Sequence, residues 1–184
     1  LLVDDLQVDR CETTCREPAS LGWTTSLEGL PVASEQRAFA SYTRVTNLTY
    51  RSPQPWERWT SFDVGLARGA SDYDEARVGV DVALLAVAPL RAYAAWRRQG
   101  EGDYRLPFPS QAEYASTPGF LAGTPERTWR VGVAGGFATR SLEVSGDVGI
   151  NRVRDAGHVA GRTRTGFEGR VRGTLHVLTQ PLRP

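Results

Sequence analysis

The chain contains no lysine and no methionine, only two cysteines and two histidines, and no long apolar run. Its longest apolar stretch, residues 82–90, is far shorter than the roughly 20 residues that a membrane-spanning helix needs. Charges of the two signs nearly balance, with a formal net charge of +1. A nucleic-acid binder or a polyacidic tail carries a strong excess of one sign. We therefore expect no nucleic-acid partner.

The two cysteines, Cys11 and Cys15, are separated by three residues. This spacing permits a small disulfide loop, which would imply an oxidising compartment such as the periplasm or the cell surface. Two free thiols are the alternative. A zinc site is disfavoured, because it needs four ligands and the histidines, His158 and His176, are distant in sequence. We expect neither a metal nor a cofactor.

The sequence opens without a signal peptide or an initiator methionine, and residues 1–5 already have the character of a strand. We therefore expect a processed or partial chain, in which export signals cannot be judged. Its 184 residues are expected to form a single domain or one segment of a larger domain.

Period-two alternation of apolar and polar residues is the strongest pattern, and it places one residue type on each face of a strand. The windows with this pattern are residues 23–30, 60–68, 76–87, 90–98, 128–137, 141–151 and 167–178. No window shows a convincing helical period. We predict an all-β, antiparallel chain of about nine strands, several near the 9–11 residues that a tilted membrane strand needs.

The links between these strands alternate in length from Trp59 onward. Long links at residues 69–75, 99–127 and 152–165 alternate with tight ones at residues 88–89 and 138–140. Outer-membrane barrels show this asymmetry, with short periplasmic turns and long external loops. Before Trp59, residues 49–58 could form either a loop or a bulged strand.

A soluble β-sandwich also alternates, so other features have to separate it from a membrane barrel. The apolar faces are diluted with glycine and alanine, which would leave a soluble core underpacked, whereas lipid fills such gaps. Trp23, Trp59, Trp96 and Trp129 lie near strand ends, where their rings would sit at a membrane interface. The opposite faces carry charges of both signs, which suit a polar lumen. The predicted lumen residues are Arg77, Asp81, Arg130, Glu143, Asp147, Glu168, Arg170 and Arg172.

These features favour a transmembrane β-barrel, or a segment of one, in the outer membrane of a bacterium, with membrane lipid as a partner. The long link at residues 99–127 is its most plausible ligand-binding segment, because it sets aromatic rings beside charged groups. Rings stack on the apolar faces of sugars, and charged groups bond the hydroxyls. The candidate glycan contacts are Tyr104, Arg105, Phe108 and Tyr114. Alternatively, this loop folds over the barrel mouth and plugs it.

Several segments resemble the C-terminal half of Wzi-like capsule-assembly outer-membrane proteins. They are residues 3–7 (VDDLQ), 41–44 (SYTR), 49–51 (TYR), 97–102 (RRQGEG), 119–123 (GFLAG), 151–152 (NR) and 157–162 (GHVAGR). The resemblance is spread over most of the chain in short pieces. It implies a barrel of about 18 strands at the cell surface, holding or exporting extracellular polysaccharide without catalysis.

Two alternative functions belong to different classes. The first is a general porin or a structural barrel subunit that contacts other envelope proteins, with Arg170 and Arg172 lining the passage. The second is an outer-membrane hydrolase that pairs a carboxylate at the lumen mouth with His158 or His176. The acidic run at residues 72–75 could supply oxygen ligands to Ca²⁺, although such a run is more often a solvated loop.

Overall fold

A computed structural model of the chain describes residues 2–5, 20–33, 35–54, 60–61, 64–65, 69–85 and 88–175. These residues form ten strands: β1 (Leu2–Asp5), β2 (Ser20–Ala33), β3 (Gln36–Val45), β4 (Thr60–Ser61), β5 (Val64–Gly65), β6 (Tyr73–Leu85), β7 (Ala88–Gln99), β8 (Glu126–Ala138), β9 (Leu142–Arg154) and β10 (Thr163–Leu175). Two single turns of 3-10 helix, Gln111–Glu113 and Ala156–His158, lie in the links. The predicted all-β, antiparallel class is confirmed.

Eight of the strands form one antiparallel sheet in the order β1-β2-β3-β6-β7-β8-β9-β10. The short strands β4 and β5 pair only with each other. Consecutive strands of the large sheet are therefore neighbours, as in an up-and-down meander. Strands β6, β8, β9 and β10 have 13 residues each, which is more than a tilted membrane strand requires.

One long strand, β3, falls outside the windows of alternation. Its outward face carries Ala38, Ala40 and Tyr42, and its other face mixes Phe39 with serine and threonine. Neither face is consistently apolar, so the period of two is hard to recognise. Pairing with β2 on one side and β6 on the other holds β3 in the sheet regardless of this weak pattern.

The links alternate in length at the two ends of the sheet. Two residues separate β2 from β3, two separate β6 from β7, and three separate β8 from β9. At the opposite end, β7 and β8 are joined by residues 100–125, and β9 and β10 by residues 155–162. The predicted alternation is thus present. Residues 49–54, for which the sequence allows a loop or a bulged strand, contain no strand, and residues 55–59 lie outside the described part of the chain.

The register aligns apolar side chains across seven strands on one face of the sheet. One such row consists of Leu27, Ala40, Val78, Ala94, Val131, Ile150 and Phe167. The alternate residues of the same strands place most of the charged side chains on the other face. Because successive side chains of a strand point to opposite faces, a single strand register determines which residues lie on the apolar face and which lie on the charged face.

The sheet curves so that its charged face is concave. Arg77 on β6 and Asp147 on β9 are three strands apart, which would separate their backbones by about 14 Å in a flat sheet. Their Nη2 and Oδ2 atoms nevertheless lie 3.8 Å apart. Arg91 on β7 likewise reaches Glu28 on β2, also three strands away, at 3.9 Å. We call this side the concave face and the apolar side the convex face.

Exposure differs sharply between the two faces. On the concave face, Tyr93 is 6% exposed and Phe39 is 4% exposed. On the convex face, Val131 is 66% exposed and Ile150 is 59% exposed. The apolar side chains are therefore on the outside of the curve, which reverses the arrangement expected of a soluble sheet with an apolar core.

The described strands do not close into a barrel, since β1 and β10 stand at opposite edges of the sheet order. The closed transmembrane barrel therefore stays a prediction. The helical turns within the described ranges have neither the length nor the apolar composition of a membrane-spanning helix.

Candidate functional site

A network centred on Arg130 and Asp147 covers the middle of the concave face. The hydroxyl of Tyr93 lies 2.7 Å and 2.9 Å from the two carboxylate oxygens of Asp147, to which it donates. Arg130 donates from Nε to the Tyr93 oxygen at 2.7 Å and from Nη2 to the Asp147 carboxylate. Three adjacent strands, β7, β8 and β9, thus contribute side chains that satisfy one another.

The network continues to both sides. Arg130 Nη1 lies 3.0 Å from Asn151 Oδ1 and 3.0 Å from Glu168 Oε2, and Asn151 Nδ2 donates to the same Glu168 oxygen at 2.7 Å. On the β6 side, the guanidinium of Arg77 lies 3.6 Å from the centre of the Tyr93 ring. Such stacking of a cation on an aromatic face is attractive. The polar contacts therefore run without interruption from β6 to β10.

A second cluster lies nearer the short turns, around Arg91. Its Nε and Nη2 atoms lie 2.6 Å and 2.8 Å from the two oxygens of Asp81, a bidentate pairing across β6 and β7. The same guanidinium stacks 4.1 Å from the ring centre of Phe39. Glu28 completes the cluster from β2. The aromatic ring and the two carboxylates hold the arginine flat against the concave face.

Glycines make room for the aromatic rings of the concave face. A Cβ atom on Gly132 would lie 2.8 Å from the Tyr93 ring and from its hydroxyl oxygen. A Cβ on Gly79 would lie 2.7 Å from the Phe39 ring and 2.2 Å from a backbone oxygen. Both contacts are too close for any larger residue. The rings of Tyr93 and Phe39 can therefore pack flat against the sheet only because Gly132 and Gly79 have no side chains.

An open recess of about 380 Å³ lies among these side chains. Its lining consists of Glu75, Arg77, Tyr93, Ala95, Arg130, Asp147, Glu168 and Arg170. Carboxylates accept hydrogen bonds, guanidinium groups donate them, and the phenol does both. A recess of this composition can bind a ligand rich in hydroxyl groups without any net charge preference.

All eight predicted lumen residues share the concave face, and the structure brings most of them together. Arg77, Arg130, Asp147 and Glu168 belong to one network, and Arg170 lines the same recess. Asp81 belongs to the Arg91 cluster instead. Glu143 and Arg172 lie towards the short turns, where neither forms an ion pair with another described residue.

Five members of these networks are absent from the predicted set, namely Glu28, Phe39, Arg91, Tyr93 and Asn151. The concave face also carries Arg91, Tyr93 and Asn151. The period of two that predicts the lumen position of their neighbours therefore predicts the same face for these three residues. In residues 90–98, however, the apolar face is the feature that the sequence makes recognisable. Only the cross-strand register shows that Tyr93 reaches Asp147, 54 residues away.

The loop end of the concave face, which we call the mouth (residues 46–54 and 69–72), is organised by Asp72. This residue is fully buried and adopts a positive φ of 57°. Its Oδ2 accepts the backbone N–H groups of Gly102 and Ala122 at 2.9 Å each, and its Oδ1 accepts that of Leu121 at 2.5 Å. One carboxylate thereby binds both ends of the long loop.

Asn47 attaches the middle of that loop. Its backbone N–H donates to the carbonyl of Gly119 at 3.0 Å, and its side-chain amide donates to the carbonyl of Pro118 at 2.8 Å. Arg51 contributes a further contact to the carbonyl of Pro107. The loop is therefore held against the mouth along most of its length.

Tyr104 is buried in this arrangement and is only 4% exposed. Its ring packs with Val45, Tyr50 and Tyr73 in the apolar cluster of the mouth and meets the Tyr50 ring edge to face, with ring centres 6.0 Å apart. The prediction of an exposed, sugar-stacking ring at Tyr104 is therefore wrong. Val45 and Tyr73 share the concave parity, so this part of the loop packs on the concave side of the sheet.

The other three predicted glycan contacts remain accessible. Arg105 is exposed, and Phe108 and Tyr114 are half-buried against each other, with ring centres 6.2 Å apart. Beside them, Glu113 accepts hydrogen bonds from the hydroxyl and backbone N–H of Ser110, which hold the pKa of the Glu113 carboxyl below its usual value. This small folded turn holds the two rings in contact with each other and partly exposed.

The remaining predicted groups have other partners within the described residues. The Nδ1 of His158 donates to the carbonyl of Thr124 at 2.8 Å. In the acidic run, Asp72 accepts backbone amides, and Asp74 accepts hydrogen bonds from Arg98 and Tyr42. No group of three or more potential metal ligands occurs in the ranges given above. Residues Cys11, Cys15 and His176 lie outside those ranges.

Comparison with known proteins gives no relative for this chain: no protein-family model, no curated protein and no solved structure matches it.

Proposed function

We propose that the chain forms part of the wall of a bacterial outer-membrane β-barrel, with its convex face in lipid and its concave face lining the lumen. The observation that carries this proposal is the reversed distribution of exposure, with valine, isoleucine and phenylalanine on the outside of the curve and ion pairs on the inside. Monomeric soluble proteins rarely expose an apolar surface that crosses seven strands.

The dimensions of the apolar band support the same proposal. On β8 the band runs from Trp129 to Phe137, eight residue steps or about 26 Å along the strand. At a typical barrel tilt of about 40° this corresponds to roughly 20 Å of height, close to the apolar band of membrane barrels. A row of Tyr42, Trp96 and Trp129 borders the band at the loop end. Aromatic residues at that level are typical of a membrane interface.

We further propose that this barrel holds or passes an extracellular polysaccharide and does not catalyse a reaction on it. The concave recess offers acceptors and donors to hydroxyl groups, and the Phe108–Tyr114 pair offers ring faces at the loop end. Because the long loop folds into the mouth, retention of a chain is favoured over free diffusion through a wide pore. The resemblance to capsule-assembly barrels points in the same direction.

The membrane assignment is tested by placing a charge at the centre of the convex face of the intact gene product. Val148→Arg should make insertion and folding less favourable by roughly 2–4 kcal/mol, because arginine is costly at the bilayer midplane. Thr174→Arg is the matched control, since it lies on the concave face opposite Glu143. The readout is the fraction in the outer membrane that migrates faster unheated than boiled. A protein that is soluble without detergent, or equal behaviour of the two variants, would contradict the proposal.

A porin or a structural barrel subunit is the second candidate, and the unbroken network from β6 to β10 favours it because such a network stiffens a wall. A porin should give ion conductance in planar bilayers, and Arg170→Glu or Arg172→Glu should shift its ion selectivity towards cations. A closed, silent barrel would contradict the porin but not the structural subunit.

A further inference from the structure

Arginines occupy an unusual row at the loop end of the convex face. Arg98, Arg127 and Arg154 lie on the consecutive strands β7, β8 and β9 and are directly opposite one another in the register. Arg152 lies two residues from Arg154 and therefore on the same face. Like charges placed directly opposite each other destabilise a sheet unless a counter-charge is present. We call these four residues the arginine row.

Only half of the arginine row has a counter-charge within the protein. Arg98 is paired with the buried Asp74 through two contacts of 3.0 Å and 2.5 Å, and Arg127 lies 3.2 Å from Asp155. Arg152 and Arg154 are exposed and form no ion pair with any other residue of the described ranges. Two guanidinium groups at this edge of the convex face are thus available to an external anion.

The surroundings of the two free arginines identify the kind of anion. Trp129 is directly opposite Arg152 in the register, is 56% exposed, and lies with its ring centre 6.2 Å from that of Trp96. Towards the short turns, the next residue of this face is the exposed Ile150. An anion bound by the arginines would therefore be joined to an apolar surface through a border of indole rings. Soluble phosphate would use only the first of these features, whereas a lipid uses all of them.

We propose that the arginine row binds the phosphate group of an anionic lipid, with the acyl chains lying on the apolar band below Trp129. The planar guanidinium group matches phosphate oxygens in a bidentate geometry. Anionic headgroups are attracted by basic residues at the membrane surface. This inference rests on the proposed membrane location and adds a specific lipid contact to it.

The test measures lipid binding by the intact gene product in detergent, using native mass spectrometry with diphosphoryl lipid A as the probe. The variant is Arg152→Ser with Arg154→Ser. Removing two charges next to a phosphate should weaken binding roughly 25-fold. Arg140→Ser with Arg164→Ser is the control, because it removes the same charge from the short-turn end and from the concave face. The control should bind the lipid as the unmodified protein does.

Two further probes separate the possible sources of the anion. The first probe is lipid A without its phosphates, which should bind the unmodified protein weakly. Its affinity should be about that of intact lipid A for the double variant. The second probe is inorganic phosphate, which should not displace lipid A from the unmodified protein. Equal binding by the double variant and the control, equal binding of the dephosphorylated lipid, or displacement by inorganic phosphate would each overturn the inference. Heat-modifiability of the same samples shows whether the membrane proposal survives such a result. A protein that is not in the membrane overturns both.

Discussion

The attachment of the long loop to the mouth should depend on the buried carboxylate of Asp72. We expect Asp72→Asn to leave the sheet folded and to release residues 100–125. The carboxylate has two acceptor oxygens for three backbone N–H groups. Asparagine keeps one oxygen and replaces the other with an NH₂ group, which is itself a donor. At least one of these partly buried N–H groups, that of Leu121 or those of both Gly102 and Ala122, therefore loses its acceptor.

The expected destabilisation of the loop in Asp72→Asn follows from these three hydrogen bonds. Each buried donor left without an acceptor costs about 1–3 kcal/mol, and the bonds that remain lose the contribution of the negative charge. A local loss of about 3 kcal/mol is therefore expected for the loop. Since 1.4 kcal/mol corresponds to a factor of ten, the population of the open loop should rise roughly 100-fold.

Hydrogen exchange on the intact gene product in detergent measures this opening directly. The amides of Leu121 and Ala122 should exchange roughly 100-fold faster in Asp72→Asn. Asp103→Asn is the control, because Asp103 lies in the same loop and accepts one backbone N–H in an exposed position. If the two variants show the same protection, Asp72 does not hold the loop.

Three further predictions concern the concave face and the outside of the loop. Gly132→Ala should destabilise the protein by about 1–3 kcal/mol in denaturant titrations, because its Cβ would clash with the Tyr93 ring, whereas Gly146→Ala, which meets nothing closer than 3.6 Å, should be nearly neutral. Asp147→Asn should lower the free energy of unfolding by roughly 1–2 kcal/mol, because it removes the partly exposed charge partner of Arg130. The loss should be smaller at high salt, which screens the ion pair. A loss independent of salt would contradict the ion pair. Replacing Phe108 and Tyr114 together with alanine should lower retention of surface polysaccharide while leaving the sheet folded.

Retention of polysaccharide by the Phe108 and Tyr114 double variant can be compared with that of a matched loop variant. Leu106→Ala removes an exposed apolar side chain from the same loop and should leave retention unchanged. Unchanged retention in the double variant would remove the loop from the glycan-binding proposal. Tyr104 is unsuitable for this test, because its substitution would disturb the packing of the mouth.

The strands that could be predicted from sequence are those with one consistently apolar face. In β9 and β10, valine, leucine, isoleucine and phenylalanine share a face with glycine, so the period of two is visible without any tertiary information. In β3, small and polar residues occupy both faces, and the strand is specified mainly by its neighbours. The same alternation placed the eight predicted lumen residues on one face but could not say which of them meet.

The mouth could not be predicted because its contacts are distant in sequence. Asp72 meets Ala122 across 50 residues, and Asn47 meets Pro118 across 71. No local pattern distinguishes a carboxylate that accepts backbone amides from one that is solvated or holds a cation. Aromatic content alone could likewise not separate the buried Tyr104 from the accessible Tyr114, because exposure is decided by how the loop folds.

The unequal links at the two ends of the sheet also determine where the chain tolerates added sequence. Between β8 and β9 the turn is short, so an inserted residue can shift the pairing of the two strands by one position. Such a shift would move every side chain of one strand to the opposite face of the sheet. The segment between β9 and β10 is longer, and lengthening it further costs little, since the closure entropy grows only with the logarithm of loop length. A peptide tag inserted after Ala160 would therefore keep the strands aligned and be displayed on one side only. Labels, antibody epitopes and natural insertions should all accumulate at that same end.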